Sequence, residues 1–298
     1  MTATFAQTDK AYEPPLLGAD EPAPFTVLNP NGKAKCLLIC DHASNRVPAK
    51  LDGLGLSEAD LQKHIAWDIG VAKVTQVMSE LLDAPAIMAN YSRLVVDLNR
   101  RIDHPTAFVT SNEGQPIPGN ITMSHEDKNH RVTEIYGPYH EEVTRLIDSF
   151  LERDIVPALI SIHSFTPIFY KQVRPWEIGV LWVQDERLPE PTITHFRDKG
   201  FTVGDNEPYD ARILRGTTIN YHGDARGLPN ALVEVRNDLI ATESDSIVWG
   251  ERLAECYKDV LKDEKLYSLY DGPVIDHDPE REFHYFEELI EKAKRGEL

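Results

Sequence analysis

Cysteine is scarce: Cys36, Cys40 and Cys256 are the only ones in 298 residues. An odd number, too few to staple a chain of this size, excludes a disulfide framework and makes a reducing cytoplasm the expected setting. Cys36 and Cys40 share one apolar run and read as inert core residues. Long hydrophobic runs are also missing. No stretch of about 18 or more apolar residues occurs, and MTATFAQTDKAYEPP lacks the basic-then-apolar profile of a signal peptide. The expectation is a soluble protein with no membrane partner. Positive charge is the third shortage. Lys and Arg number 31 against 49 Asp and Glu, a formal net charge of -18, which repels phosphate backbones and anionic lipid surfaces at long range. Nucleic acid is therefore not an expected partner, although a local basic pocket could hold a small anion. Finally, there is no G-x-G-x-x-G, P-loop, G-x-S-x-G or C-x-x-C motif, so dinucleotide, nucleoside triphosphate, serine-elbow and dithiol chemistries have no local support.

What is present suits an α/β protein. With 41% hydrophobic residues the chain can bury a sizeable core and lies near the upper size for one domain. Residues 1–24, with Pro14, Pro15, Pro22 and Pro24, read as an irregular surface arm. Residues 25–270 read as a single domain, and 271–298 as a charged helical tail. Short apolar runs at Cys36 to Cys40, Ala86 to Ala89, Leu94 to Leu98, Ala158 to Ile162, Ile178 to Val183 and Ala231 to Val235 suit strands buried on both faces. Helical patterns lie between them. Ser57 and Asp60 open one like a capping box, with Leu61, Ile65, Val74 and Leu81 carrying it forward; others span about 131–153 and 244–261. Thr106 to Asn129, rich in Gly, Pro, Asn and Ser, reads as a long loop. Buried strands separated by long helices predict a three-layer sandwich, a mixed, mainly parallel sheet flanked by helices, with its site beyond the C-terminal strand ends.

Two of the strand-like runs lead straight into histidine, at Asp41-His42 and His163-Ser164. Zinc in a hydrolytic site takes about three protein ligands, commonly His and carboxylate, and leaves a position open. His42 and His163 supply two. Asp68, set in the apolar stretch Trp67-Asp68-Ile69-Gly70, is the first choice for the third; its structural alternative is a helix-stabilising partner of His64 at i-4. Asn45, three residues after His42, ranks as a substrate contact, since an amide is a poor zinc ligand. Glu234 sits inside the apolar strand Ala231 to Val235, where a carboxylate is costly unless paired or functional, and is the candidate base. Arg236 shares its strand face, so a structural Glu234–Arg236 ion pair is the competing reading. Arg93, Arg100 and Arg101 flank another run and suit an acidic small substrate held by arginine forks. The plainer alternative pairs Arg93 with Asp97 and leaves the others solvated. His222, beside a Gly-containing loop, is a second-tier candidate. Ser44 and Ser164 keep a serine hydrolase open, and an inactive binder of an acidic metabolite is the reading from a different class.

Several motifs in order, Asp41-His42-Ala43-Ser44-Asn45-Arg46-Val47-Pro48, His64 to Gly70, Ser92 to Arg100, His163-Ser164-Phe165-Thr166-Pro167, Arg174-Pro175-Trp176, Gly204 to Tyr209 and Glu234 to Leu239, resemble the N-formylglutamate amidohydrolase family over roughly residues 36–262. The resemblance implies a fold like that of zinc carboxypeptidases and the phosphorylase/hydrolase group. It also implies hydrolysis of N-formyl-L-glutamate to formate and glutamate, a step of histidine degradation. Carried onto this chain, it makes His42 and His163 zinc ligands and Asp68 a plausible third, and it places Glu234 as general base. Arg93, Asn99, Arg100 and Arg236 would hold the carboxylates of a small acidic N-acyl amino acid. Where carboxypeptidases carry an H-x-x-E pair, the residue three after His42 is Asn45.

Overall fold

A computed structural model of the chain describes residues 15–112, 114–213, 217–273 and 279–297. The strands in chain order are β1 (Phe25–Leu28), β2 (Cys36–Cys40), β3 (Ala86–Ala89), β4 (Ser111–Asn112), β5 (Gln115–Pro116), β6 (Ala158–Phe165), β7 (Ile168–Phe169), β8 (Gln172–Val173), β9 (Ile178–Leu181), β10 (Val203–Asp205) and β11 (Asn230–Arg236). Seven of them form one sheet in the order β1-β3-β2-β6-β11-β9-β10. β3, β2, β6 and β11 run parallel; β1 joins β3 antiparallel, and β9 joins β11 antiparallel while pairing parallel with β10. The remaining strands make two small ribbons, β4-β5 and β7-β8.

The helices are α1 (Glu58–Leu61), α2 (Val71–Leu82), α3 (Pro118–Ile121), α4 (His125–Arg131), α5 (Gly137–Leu151), α6 (Pro189–Asp198), α7 (Thr218–His222), α8 (Glu243–Val260) and α9 (Pro279–Lys294). Alternation along β2 divides the interior. Leu37 and Ile39 enter a core with residues of α5 and α9, whereas Cys36, Leu38 and Cys40 enter another with α2, α6 and α8. The architecture is the expected three-layer, mixed, mostly parallel α/β sandwich. On the second face α2 and α8 pack closely because Gly250 has no side chain; a Cβ there would stand 2.7 Å from the Val77 Cβ.

Local structure departs from the sequence expectations in four places. The helix expected from Ser57 through Leu81 is two helices, α1 and α2, separated by turns. Gly70 adopts φ +85, and a Cβ there would lie 2.2 Å from the Ile240 carbonyl oxygen; the break is thus fixed by a left-handed residue against a neighbouring backbone. Leu94 to Leu98 is buried but is no strand. Its carbonyls are satisfied by side chains instead, Leu94 by Asn120 (2.8 Å) and Val95 by Arg131 (3.0 Å). The expected loop from Thr106 to Asn129 contains β4, β5, α3 and the start of α4, whose capping box joins Ser124 and Asp127. The C-terminal helix α9 is charged outside, yet it buries Phe286, Leu289, Ile290 and Ala293 in the first core. Of the N-terminal arm, residues 1–14 lie outside the described residues. The Leu16 and Leu17 amides donate to the Glu134 carboxylate at 2.6 and 3.0 Å, with Leu16 fully buried. In the C-terminal stretch, 274–278 and 298 lie outside them as well.

Candidate active site

The C-terminal ends of β2, β6 and β11 open on a cavity of about 500 Å³, the position an α/β sheet favours for ligands. β2 ends at Cys40 and delivers Asp41 and His42, both fully buried. β6 runs two residues past His163, which lies directly opposite Glu234 of β11. The turn after α1 brings in Asp68, anchored by its amide to the His42 carbonyl at 3.0 Å.

His42, Asp68 and His163 form a cluster whose potential ligand atoms all lie within 4.8 Å of one another. His42 Nδ1 stands 3.4 Å and His163 Nδ1 3.0 Å from the same Asp68 oxygen, Oδ2. The opposite ring nitrogens are held from behind. His42 Nε2 meets Asp97 Oδ1 at 2.7 Å, and His163 Nε2 lies 3.0 Å from Ser161 Oγ and 3.3 Å from Asp41 Oδ2. The Asp97 hydrogen bond behind His42 Nε2, and the Asp41 charge with Ser161 Oγ behind His163 Nε2, favour a proton there and leave each Nδ1 free to donate a lone pair, the arrangement that orients metal-binding imidazoles. Asp41 is itself fixed by the Tyr139 hydroxyl, which donates to Oδ1 at 2.8 Å.

The electrostatics point the same way. Burial opposes the charge of Asp68, but Arg93 and His42 outweigh it and hold the carboxyl well below its usual range. Burial likewise opposes Asp97 and Asp41, which neighbouring His42 and Arg93, and His163, respectively, keep ionised. Burial would lower the His163 pKa, yet hydrogen bonds to Asp41 and Asp68 raise it to about 10; in the absence of a cation this ring carries a proton on the metal-facing side. Glu234 is 7% exposed, and burial pushes it up to about 7. Its Oε2 has no hydrogen-bond partner among the described residues. Four buried carboxylates thus surround two imidazoles, and Arg93 is the guanidinium in contact with them, 3.0 Å from Asp68 Oδ1 and 3.6 Å from Asp97 Oδ2. Such an excess of negative charge, with two lone-pair nitrogens aimed at one carboxylate oxygen, fits a divalent cation.

The other expected residues separate into two groups. Arg93, Asn99 and Arg100 line the cavity with Glu234, Asp68 and His163. Asn45 and Arg236 are not among its lining residues. Asn45 Nδ2 donates to the Leu61 carbonyl at 2.9 Å, and Arg236 Nε meets Asp238 Oδ1 at 2.7 Å. The strand ends at Arg236, and the next turn brings Asp238 back onto its guanidinium, so the Glu234–Arg236 pair does not form. His222 is buried against His140, rings stacked at 5.3 Å, away from the cluster. Ser164 Oγ donates to the Ile69 carbonyl and Ser44 Oγ accepts from the Arg46 amide, so neither is paired with an imidazole as a nucleophile would be.

Four residues of this arrangement have no role that the sequence alone assigns. The sequence pairs Asp97 only with Arg93 and shows Asp41 only as a neighbour of His42; a carboxylate adjoining a strand-end histidine is the available signal. His64 lines the cavity 3.7 Å from Asp68 Oδ1, and burial lowers its pKa to about 4. Tyr209 joins the same wall, and no spacing pointed to it.

Residues 34–241 match the N-formylglutamate amidohydrolase family. Among curated proteins, the chain is 24% identical over 250 residues to an N-formylglutamate deformylase of Pseudomonas putida, covering 78% of this chain and 91% of that protein. Among solved structures, a gene product of Agrobacterium tumefaciens superposes with a TM-score of 0.81 at 32% identity, covering 84% of this chain and 100% of the other. An N-formylglutamate amidohydrolase from Ralstonia eutropha JMP134 shares the fold, with a TM-score of 0.60 at 20% identity over 80% of this chain and 99% of the other.

Proposed function

The chain belongs to the N-formylglutamate amidohydrolase family, hydrolases of amide C–N bonds, and from that premise we propose that it is a zinc-dependent enzyme that cleaves N-formyl or related N-acyl amino acids, of which N-formyl-L-glutamate is the reference substrate. The observation that carries this reading is the convergence of His42 Nδ1 and His163 Nδ1 on Asp68 Oδ2, with Glu234 directly across from His163. His42, Asp68 and His163 would hold the metal. Zinc is the ordinary choice for two imidazoles and a carboxylate. When bound, it polarises the amide carbonyl and lowers the pKa of water toward neutrality.

The chain's own groups do the rest. Asp97 and Asp41 hold the two rings in the tautomer that presents Nδ1. Glu234, with its pKa raised to about 7 by burial, takes a proton from the attacking water and returns it to the departing amine, since a base near the working pH both accepts and releases a proton readily. Arg93 and His64 face the cavity beside Asp68 and are placed to donate to an oxyanion on the acyl carbon. Arg100 and Asn99 also line it. The Arg100 guanidinium donates to the Asn99 carbonyl at 2.8 Å and meets no carboxylate among the described residues, which leaves it suited to fix a substrate carboxylate.

The test is metal content of the purified protein together with hydrolysis of N-formyl-L-glutamate and N-formyl-L-leucine before and after chelation. About one zinc per chain and chelator-sensitive release of formate are expected. Turnover that survives complete metal removal would overturn the proposal.

A further inference from the structure

The two large cores do not account for every buried apolar residue. Leu181, Val183, Ala211, Ile219 and Leu232 form a third, separate cluster with Tyr209 packed on it. All of these except Val183 line the cavity. Register fixes where this wall stands. Leu232 faces Leu181 across β11 and β9, and it precedes Glu234 by two residues, so both side chains leave the same face of the sheet. The apolar wall therefore begins immediately beside the buried carboxylate, and Ile219 from α7 closes it. Water gains little against such a surface, whereas an apolar group of the ligand is drawn to it.

The charged lining is already engaged. Lys63 Nζ is held by Asp60 at 2.7 Å, and Arg93 is held by Asp68 and Asp97. Among the described lining residues, Arg100 is the cation left without a carboxylate. One carboxylate and one apolar group complement this lining better than the two carboxylates of glutamate do. The volume, about 500 Å³, lies within the range of about 300–1,000 Å³ that takes drug-sized molecules.

We propose that Leu181, Ala211, Ile219, Leu232 and Tyr209 form a subsite for an apolar amino-acid side chain, so that the preferred substrates are N-formyl derivatives of amino acids such as leucine and phenylalanine rather than of glutamate. This rests on the amide-hydrolase reading above and narrows it. The experiment compares kcat/KM of the zinc-loaded full chain for N-formyl-L-leucine, N-formyl-L-phenylalanine and N-formyl-L-glutamate. Calorimetry measures binding of the same three compounds to Glu234→Gln. The apolar derivatives should lead by at least about tenfold in both, the discrimination that one or two methylenes confer in a hydrophobic pocket. Leu232→Gln and, independently, Leu181→Gln should cut that preference ratio about tenfold, with thermal melting confirming that each variant is folded. Turnover with glutamate equal or preferred overturns the subsite and leaves the hydrolase reading standing. Apolar-selective binding without turnover of any compound supports the subsite and removes the hydrolase reading. Neither binding nor turnover overturns both.

Discussion

Glu234 lies within an apolar strand with one carboxylate oxygen unpartnered among the described residues. Glu234→Gln should retain zinc while losing turnover by about 10²–10⁴-fold; loss of zinc instead would make Glu234 a ligand. As a base it acts ionised, so wild-type kcat/KM should rise with pH along a limb at or below about 7, the value set by burial, because a bound cation favours the carboxylate. Stability runs the other way. Burial raises the pKa from 4.5 to about 7, so the native state keeps a proton that the unfolded chain surrenders between those values, and the metal-free protein weakens as pH rises through that window. The shift corresponds to about 3 kcal/mol. Melting of chelated wild type and Glu234→Gln across this window should show the difference growing with pH; a constant difference would contradict a buried neutral Glu234. Asp97, 2.7 Å from His42 Nε2, gives a second residue-scale prediction. Asp97→Asn should lower zinc affinity about 10–100-fold in chelator competition, and unchanged affinity would remove its orienting role.

At the scale of elements, Asn120 anchors the buried segment that carries Asp97 and Asn99. Its amide donates to the Leu94 carbonyl at 2.8 Å and the Val109 carbonyl at 2.9 Å. Asn120→Ala strands both acceptors and should cost about 1–3 kcal/mol in denaturant unfolding; a neutral effect would show that another donor replaces it. The same segment marks the limit of what the sequence discloses. β2, β6 and β11 were legible because a continuous apolar run between polar boundaries has one stable use, as a strand covered on both faces. Leu94 to Leu98 has the same pattern, but its carbonyls are met by Asn120 and Arg131, distant side chains that no local pattern reveals. His42 and His163 stand out in the sequence because two apolar runs end in histidine, and Asp68 and Glu234 because a carboxylate inside an apolar stretch needs a reason. Strand periodicity sets Arg236 on the face of Glu234 and the resemblance makes it a holder of substrate carboxylates, but at this last residue of the strand Asp238 folds back onto its guanidinium.

The whole molecule carries a formal net charge of -18, and its expected substrates are anions. Long-range repulsion slows their approach, and salt screens it over a Debye length of about 10 Å at 0.1 M. Raising ionic strength should therefore increase kcat/KM for N-formyl amino acids, whereas a steady fall with salt would mean that the local field of Arg93 and Arg100 governs capture. The proposed metal ligands lie far apart along the chain. His42 and Asp68 are 26 positions apart, but Asp68 and His163 are 95 apart and meet only after β2 and β6 have paired. A nascent chain that has not yet extended past His163 offers two of the three donors. A cation held by these residues would therefore not nucleate this fold as it does in a zinc finger, where closely spaced ligands gather around it. On the proposed reading zinc would act as an inspector of finished work, captured once the long-range topology is in place and retained in proportion to how well that topology closed.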